Sequence, residues 1–341
     1  MTDKAQNTME AVVMDGFGGP ETLTLRTLPL PEIGPDQLLV RVESAGVGKW
    51  DAFERAGMFA QLYGGEPQFP YVLGSEGAGT VVAVGEHVTR FHAGDPVYGL
   101  IGARIPKDGF YAEYAAIDGV QAWPIPTQLT PKQAGALPID AGTALRGLRD
   151  ILGLKQGETL LIFGASGGIG HMALQLALRL GARVLAVASG EDGVALAQRL
   201  GADAVVEGHT RDVRVAASEF APHGLDTALV TAGGDAAERA LGAMRNGGRV
   251  AYPNGVPKPT VRADVSVTSY NAMYDAELME HLNRLIETGP FEVHLARTFP
   301  LSRAVEAHHA LNTHNLGRLA LQPIGEARSQ AVRSGPLAAG T

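Results

Sequence analysis

Residues 160–182 read LLIFGASGGIGHMALQLALRLGA, which is an apolar strand, a glycine-rich turn and an amphipathic helix in direct succession. Ala165, Gly167 and Gly170 occupy the three positions of the G-x-G-x-x-G pattern, with alanine at the first. Small residues at these positions permit a tight turn, close approach of the backbone to a pyrophosphate, and close packing of the helix on the strand. The helix N-terminus adds free N–H groups and a partial positive charge. The stretch therefore predicts dinucleotide binding, against the alternative of a purely structural turn.

The alternation of strand and helix continues beyond this turn. The later segments with strand character are 183–189, 202–208, 225–233 and 248–255, and those with helix character are 191–201 and 235–247. Strands that alternate with helices of this length are typical of a parallel, doubly wound sheet. A Pro-rich joint, AWPIPTQLTP at 122–131, separates this α/β portion from what precedes it.

The first 125 residues are rich in short strands instead. The candidate strands are EAVVM (10–14), TLTLRTL (22–28), QLLVRVES (37–44), GTVVAVG (79–85), DPVYGL (95–100) and YAEYAAI (111–117). Gly and Pro between them are turn signals. Near the C-terminus a helical segment at 274–289 is followed by a strand and helix at 294–311 and a last strand at 317–324.

Composition excludes several classes of protein. The chain has 341 residues, a formal net charge of −8 and no basic cluster, so nucleic acid is not an expected partner. Its apolar runs are shorter than the ~20 residues that span a bilayer, and its start lacks signal-peptide features, so we expect a cytoplasmic protein without membrane insertion. Without cysteine there are no disulfides, thiolate nucleophiles or cysteine zinc sites. We expect His308, His309 and His314 at the surface.

The choice between NADH and NADPH is read at the end of the second strand, in AVASGED (186–192). Ala188 stands where an acidic residue would bind the ribose 2′-hydroxyl of NAD. Ser189 and Gly190 follow and leave room for a 2′-phosphate, which favours NADPH while leaving NADH possible. Glu191 and Asp192 allow two interpretations: they point inward and repel a phosphate, or they stabilise the N-terminus of the next helix.

Several motifs in one order carry a family resemblance. The chain resembles the medium-chain dehydrogenase/reductase superfamily and, within it, the zinc-free quinone oxidoreductase branch with its zeta-crystallin-like proteins and 2-alkenal reductases. The resemblance extends from EAVVM to LALQPI. Its motifs are VESAGVGKWDAFERAGMF (42–59), FPYVLGSEGAGTVVAVGEHVTRFHAGDPVYG (69–99), GFYAEYAAI (109–117), LPIDAGTALRGL (137–148), GASGGIGHMALQLALRLGARV (164–184) and GRLAL (317–321).

The resemblance implies an α/β protein in which a GroES-like β-rich catalytic domain carries an inserted Rossmann domain. It places the catalytic domain at 1–125 and 266–325, the Rossmann domain at 126–265 and a flexible tail at 326–341. It also implies a homodimer. Ser75 stands where the zinc-containing branch carries a ligand histidine, and the ligand cysteines have no counterpart, so we expect no metal site.

The resemblance also implies which residues contact the cofactor. The pyrophosphate is expected at Ser166, Gly167, Gly168 and Ile169, and the adenosine ribose at Ser189 and Gly190. The nicotinamide is expected beside Thr143, the loop with Ala232 and Gly233, and the loop with Asn254 and Gly255. Arg318 matches a basic position near the cofactor end of the cleft.

Without a metal, an acceptor whose negative charge spreads by conjugation suits hydride transfer. The expected activity is therefore NADPH-dependent reduction of a quinone or an α,β-unsaturated carbonyl, with charge stabilised by a hydrogen-bond donor. The catalytic candidates are Lys49, Asp51 and Tyr63, with Tyr98 as a further hydroxyl. We expect Glu76 to orient its neighbours, by bonding the backbone or a basic residue such as Arg318. Two alternatives stay open: an alcohol dehydrogenase with a His/Asp/Glu metal site, and a non-catalytic NADPH-binding protein.

Overall fold

The computed structural model describes residues 7–63, 68–102 and 108–323. The expected tail at 326–341 lies outside these residues. The described strands are β1 Thr8–Met14, β2 Leu23–Pro29, β3 Gln37–Val47, β4 Tyr71–Val72, β5 Glu76–Val84, β6 Pro96–Leu100, β7 Tyr114–Asp118, β8 Ala122–Pro124, β9 Thr159–Phe163, β10 Arg183–Ala188, β11 Ala204–Glu207, β12 Leu225–Val230, β13 Met244–Pro253, β14 Ser266–Tyr270, β15 Leu295–Pro300 and β16 Arg318–Gln322.

The helices in the same ranges are mostly in the second half of the chain. They are α1 Lys49–Arg55, α2 Met58–Tyr63, α3 Pro131–Ala134, α4 Pro138–Arg146, α5 Gly168–Arg179, α6 Gly190–Arg199, α7 Val213–Phe220, α8 Asp235–Leu241, α9 Ala276–Glu287 and α10 Ala304–Ala310. None of them combines the length and apolar character that crossing a membrane would require, within the part of the chain that the structure describes.

The α/β portion forms a six-stranded sheet in the order β11-β10-β9-β12-β13-β14, with every pairing parallel. Leu160 and Ile162 of β9 pack into one hydrophobic cluster and Leu161 into another, so both faces of the sheet are covered. The chain builds outward from β9 in one direction, then returns to add β12 on the other side. This reversal opens a crevice at the carboxyl ends of the strands, the usual ligand site of such sheets. The predicted doubly wound fold is confirmed.

The β-rich portion contains a seven-stranded sheet and a three-stranded sheet of β2-β1-β4 among the described residues. In the larger sheet β3 pairs antiparallel with β5, β7 and the C-terminal strand β16. Leu319 lies opposite Val47, so the end of the chain returns beside its first third. This register brings Arg318 to the segment that leads into α1, and it positions the site described below.

The strand pairing does not follow the expected boundary at residue 266. Ser266–Tyr270 is the edge strand of the parallel sheet, because Val250 pairs with Val267. Leu278 and Leu282 of α9 share the core cluster of Leu145 and Leu176. The chain rejoins the seven-stranded sheet of the β-rich portion only at β15. We therefore propose that the second boundary lies near residue 290.

Two other expectations differ from the structure. The helix expected at 235–247 ends at Leu241, because Gly242 caps it and Met244 pairs with Leu225 to begin β13. The surface position expected for His308 is wrong. Its side chain is buried with 2% exposure, and its Nε2 lies 3.2 Å from the Tyr111 hydroxyl, because α10 packs onto the β-rich core.

Candidate functional site

The glycine-rich turn follows β9 directly and begins at Gly164, whose φ of +87° favours glycine. A Cβ at Gly170 would lie 2.0 Å from the carbonyl oxygen of Gly164, so this position requires glycine for close packing of α5 on the turn. A Cβ at Gly167 would meet nothing closer than 3.4 Å. The fold itself therefore tolerates a side chain at Gly167. The absence of a side chain there keeps the space outside the turn open.

This turn fits a pyrophosphate by its shape and its unpaired donors. Gly167 is the N-cap of α5 in an extended conformation, and the helix begins at Gly168. The first N–H groups of a helix have no partner within it and attract anions. The Gly317 N–H donates to the Ser166 carbonyl at 2.8 Å, so the loop before β16 holds the turn from outside. Ile169 is partly buried beside these groups.

Behind the turn lies a buried cluster of one cation and two carboxylates. Arg318 Nη1 donates to Asp140 Oδ2 at 2.9 Å, and its Nη2 donates to Glu76 Oε1. Glu76 Oε2 also accepts from the Ile139 N–H at 2.8 Å. The Arg318 guanidinium lies 4.6 Å from the ring centroid of Trp50. The cluster thus joins β5, β16, α4 and α1, and the orienting contacts expected for Glu76 are confirmed.

The cluster also reaches the turn, because a Cβ at Gly168 would lie 2.0 Å from Asp140 Oδ2 and 3.1 Å from Arg318 Cδ. One guanidinium serves two buried carboxylates, which leaves an excess of negative charge. Burial raises the pKa of Glu76 to about 8, with Arg318 opposing the rise. Burial likewise raises the pKa of Asp140. The cluster therefore holds a proton on one of its carboxyl groups near neutral pH.

Glu76→Gln tests this assignment. The pKa of Glu76 is raised from 4.5, so its contribution to stability is complete below pH 4.5 and is lost as the pH rises through about 8. Glutamine does not titrate, so we expect urea unfolding of the variant to depend less on pH between 5 and 8.5, by about 4 kcal/mol. Activity should survive, because Glu76 orients its neighbours. Complete loss of turnover in a folded variant would contradict this role.

On the other wall of the crevice, Asp51 is fully buried in the first turn of α1. Its Oδ2 accepts from the Gly48 N–H at 2.9 Å, and its Oδ1 accepts from Ser75 Oγ at 3.4 Å. The Tyr111 hydroxyl also hydrogen-bonds to it. The carboxylate therefore orients the segment that enters α1.

The other described catalytic candidates differ in their access to solvent. Lys49 is exposed at the start of α1. Tyr63 ends α2, and its side chain lies outside the described part of the structure. Tyr98 is fully buried and its hydroxyl donates to Asn283 Oδ1 at 2.8 Å, which directs it into the core. Lys49 is thus the described candidate that has access to solvent.

The expected nicotinamide contacts collect at the carboxyl edge of the parallel sheet. Thr143 lies on α4 and donates to the Ile139 carbonyl at 2.6 Å. Ala232 and Gly233 are exposed directly after β12. Gly255 follows β13, and a Cβ there would lie 3.9 Å from Phe53 of α1. The crevice is therefore closed on its far side by α1.

Asn254 anchors the loop after β13. Its N–H donates to the Tyr270 carbonyl at 2.9 Å, and its side-chain amide donates to Asn271 Oδ1 at 2.6 Å. These bonds tie the loop to the end of the edge strand β14. These hydrogen bonds thereby fix the position of the loop beside the crevice.

At the opposite end of the crevice, Ser189 Oγ lies 3.0 Å from His209 Nε2. Glu207 Oε1 accepts from the Gly190 N–H at 3.0 Å, and its other oxygen accepts from the His209 N–H at 2.9 Å. Hydrogen bonds from Thr210, Gly190 and His209 lower the pKa of Glu207 to about 2. Glu207 thus presents Ser189 and His209 together at the end of β10. Sequence inspection had not selected Glu207 or His209, because they lie one βα unit further along the chain.

Comparison with known proteins is consistent with both halves of the fold. Residues 34–127 match the family described as alcohol dehydrogenase GroES-like domain, and residues 168–273 match the family described as zinc-binding dehydrogenase. The chain is 30% identical over 321 residues to a quinone oxidoreductase of Sus scrofa, covering 89% of this chain and 94% of that protein. It is 30% identical over 325 residues to an NADPH-dependent alkenal/one oxidoreductase of Arabidopsis thaliana, covering 93% and 80%.

Solved structures show the same architecture. The quinone oxidoreductase from Coxiella burnetii superposes with a TM-score of 0.78 at 28% identity, covering 93% of this chain and 100% of that one. An NAD-dependent alcohol dehydrogenase superposes with a TM-score of 0.82 at 29% identity, covering 93% and 100%.

The second family description names zinc, and the residues here do not fit that ion. The chain has no cysteine, and Ser75 directs its hydroxyl to Asp51 and, at 3.5 Å, to Glu54. A Cβ at Gly48 would lie 2.2 Å from the ring of Trp50, so the indole covers this backbone. Within the described ranges, no three His, Cys, Asp or Glu side chains are grouped as metal ligands. The reaction proposed below therefore uses no metal ion.

Proposed function

The chain belongs to the medium-chain dehydrogenase/reductase superfamily, in the branch of the quinone oxidoreductases, and from this premise we propose that it transfers a hydride from NADPH to a quinone or an α,β-unsaturated carbonyl without a metal ion. The chain is an oxidoreductase of a family that uses nicotinamide cofactors. The observation that carries the finer proposal is the crevice itself. A pyrophosphate-type turn lies at one end, and the apolar side chains of α1 face the loop of Gly255 at the other.

The preference for NADPH is supported at the end of β10. Ala188 offers no carboxylate to a ribose 2′-hydroxyl, and the Ser189 hydroxyl and His209 imidazole lie beside each other where a 2′-phosphate would approach. A hydroxyl and an imidazole both donate hydrogen bonds to phosphate. The plant relative at 30% identity is named as NADPH-dependent. NADH stays the alternative cofactor.

Each part of the chain then has a task in positioning the reaction. The cofactor, when bound, supplies the hydride from its nicotinamide ring. We propose that Gly167, Gly168 and the first N–H groups of α5 bind its pyrophosphate, and that Thr143 and the loops after β12 and β13 hold the ring against α1. The Arg318 cluster fixes the turn relative to β16. Trp50 and Phe53 form an apolar wall that excludes water beside a flat acceptor.

The proton that completes the reduction requires a donor near the acceptor oxygen. A conjugated acceptor spreads the charge left by hydride addition, so one hydrogen-bond donor suffices to stabilise and protonate it. We propose Lys49 and Tyr63 for this step. Asp51 is assigned to positioning, because its carboxylate accepts from Gly48 and Ser75 inside the protein.

A homodimer is part of the proposal. Strand β14 is at the edge of the parallel sheet, and three of its five residues are exposed. Edge strands offer unpaired N–H and C=O groups to a second copy of the chain. The cytoplasmic location stays a prediction from sequence.

The activity is tested by following NADPH oxidation in the presence of quinones, enones and saturated aldehydes. The signal is the absorbance of the reduced nicotinamide ring at about 340 nm. We expect turnover with members of the first two groups and none with saturated aldehydes of matched size. Turnover that requires an added or retained metal would favour a metal-using alcohol dehydrogenase. Tight NADPH binding without turnover on any acceptor would favour a non-catalytic protein.

A further inference from the structure

A histidine–aspartate pair bridges the two sides of the crevice at its adenosine end. Asp192 lies in the first turn of α6, and His314 lies in the loop between α10 and β16. His314 Nε2 is 3.0 Å from Asp192 Oδ2 and 3.2 Å from its Oδ1. The two side chains are 52% and 56% exposed, so the pair is at the surface and available to a ligand.

The pair surrounds the position proposed for the adenosine ribose. A Cβ at Gly190 would lie 2.6 Å from Asp192 Oδ1 and 3.7 Å from His314 Nε2. Gly190 directly follows Ser189, whose hydroxyl lies 3.0 Å from His209. Asp192 and His314 therefore lie near the same backbone as Ser189 and His209.

Asp192 presents a problem for a ligand with a 2′-phosphate. The hydrogen bond from His314 lowers the pKa of Asp192, so this carboxylate is ionised at neutral pH. A phosphate monoester carries about −1.5 to −2 charges at pH 7, and like charges at short range repel each other. The chain has no lysine or arginine in the stretch AVASGED to offset this repulsion.

We infer that His314 is a specificity residue for the cofactor: by pairing with both oxygens of Asp192 across the crevice, its imidazole reduces the repulsion that the aspartate exerts on a phosphate and admits the 2′-phosphate of NADPH. This inference rests on the proposed function and adds to it a residue from the β-rich portion of the chain. Two histidines, His209 and His314, then perform the task that a lysine or arginine performs elsewhere. NADH lacks the phosphate and does not require the pair.

Glu207 is a further carboxylate beside the same backbone, since it accepts from the Gly190 N–H at 3.0 Å. Glu207 is held by backbone N–H groups of Gly190 and His209, and Glu191 is exposed on α6. On the loop side, Arg297 donates to Thr313 and Asn315, which shape the backbone that carries His314.

The test is a double-variant cycle on the full chain, with dissociation constants for NADPH and NADH measured by calorimetry. We expect His314→Gln to weaken NADPH binding about three- to tenfold and to leave NADH within twofold. Asp192→Asn should tighten NADPH binding and, in combination, make His314→Gln silent. His87→Gln is the matched control, because His87 forms a similar exposed pair with Asp36 at 3.0 Å away from the crevice.

The outcomes separate this inference from the function on which it rests. A wild-type protein that binds NADH as tightly as NADPH would overturn both the NADPH assignment and the inference. A wild-type preference for NADPH that His314→Gln does not change would overturn the inference alone. So would a loss that is equal for both cofactors, or one that persists unchanged in the Asp192→Asn background.

Discussion

Arg318→Met is expected to lower the free energy of unfolding by about 3–5 kcal/mol at neutral pH, because it removes the one cation that serves two buried carboxylates. Arg318 is 5% exposed, Glu76 is fully buried and Asp140 is 3% exposed. Without the guanidinium, both carboxyl groups must take up protons to stay buried. Methionine keeps much of the volume, so the loss reports charge more than packing.

The pH dependence of this loss identifies its cause. Burial already raises the pKa values of Glu76 and Asp140, and removing Arg318 raises them further. Carboxyl groups with raised folded-state pKa values destabilise the protein at high pH and not below their unfolded values. The loss should therefore be large at pH 8 and shrink toward pH 5. Urea unfolding at both pH values measures it.

Two comparisons control the Arg318 experiment. Arg303→Met removes an exposed arginine that pairs with Glu306, and we expect it to change stability by less than about 1 kcal/mol. Adding Glu76→Gln and Asp140→Asn to Arg318→Met should restore part of the lost stability, since none of these three positions then carries a buried charge. A loss below 1 kcal/mol on Arg318→Met, or no recovery in the triple variant, would show that the cluster is not held by charge.

Gly167→Val is expected to weaken NADPH binding about 100-fold or more while leaving the fold intact. The nearest atom to a Cβ at Gly167 is 3.4 Å away, so the free protein accommodates the side chain. The branched side chain would project toward the pyrophosphate and prevent its approach to the helix N-terminus. Each hydrogen bond to a charged group is worth about 1.5–3 kcal/mol, so the loss of two accounts for this factor.

The glycine at the third position of the pattern, Gly170, should behave in the opposite way. A Cβ at Gly170 would lie 2.0 Å from the Gly164 carbonyl and 2.7 Å from Ala165 Cα, both of which are backbone atoms. We expect Gly170→Ala to destabilise the fold by about 2–3 kcal/mol. Gly289→Ala is the control, because nothing lies within 4 Å of its Cβ. Thermal unfolding and NADPH titration of the three variants separate the effects. Unimpaired NADPH binding by Gly167→Val would show that the pyrophosphate does not bind at this turn.

The sequence predicts those features that depend on local pattern. The strand, glycine turn and helix at 160–182 follow from periodicity and small residues, and the structure confirms them. Helix α4 begins at Pro138, and proline suits the first position of a helix. The contact of Glu76 with Arg318 was anticipated because the family resemblance placed both at one cleft.

Features that depend on distant pairing were not predicted. Asp140 belongs to the motif LPIDAGTALRGL, which does not indicate its partner, and only the packing of α4 against β16 brings it to Arg318. His314 is 122 residues from Asp192, so no local pattern relates them. Ser266–Tyr270 joins the parallel sheet because of a free edge beside β13, not because of its own composition. Such contacts are set by the register of the whole fold.

The central proposal is direct transfer of hydride from NADPH to a conjugated acceptor without a metal. Its most direct test uses NADPH deuterated at the transferable position of C4, with an enone and with enzyme treated exhaustively with a chelator. We predict deuterium on the β-carbon of the reduced enone and an unchanged rate after chelation. Product without deuterium, or activity that disappears on chelation and returns with zinc, would contradict the account.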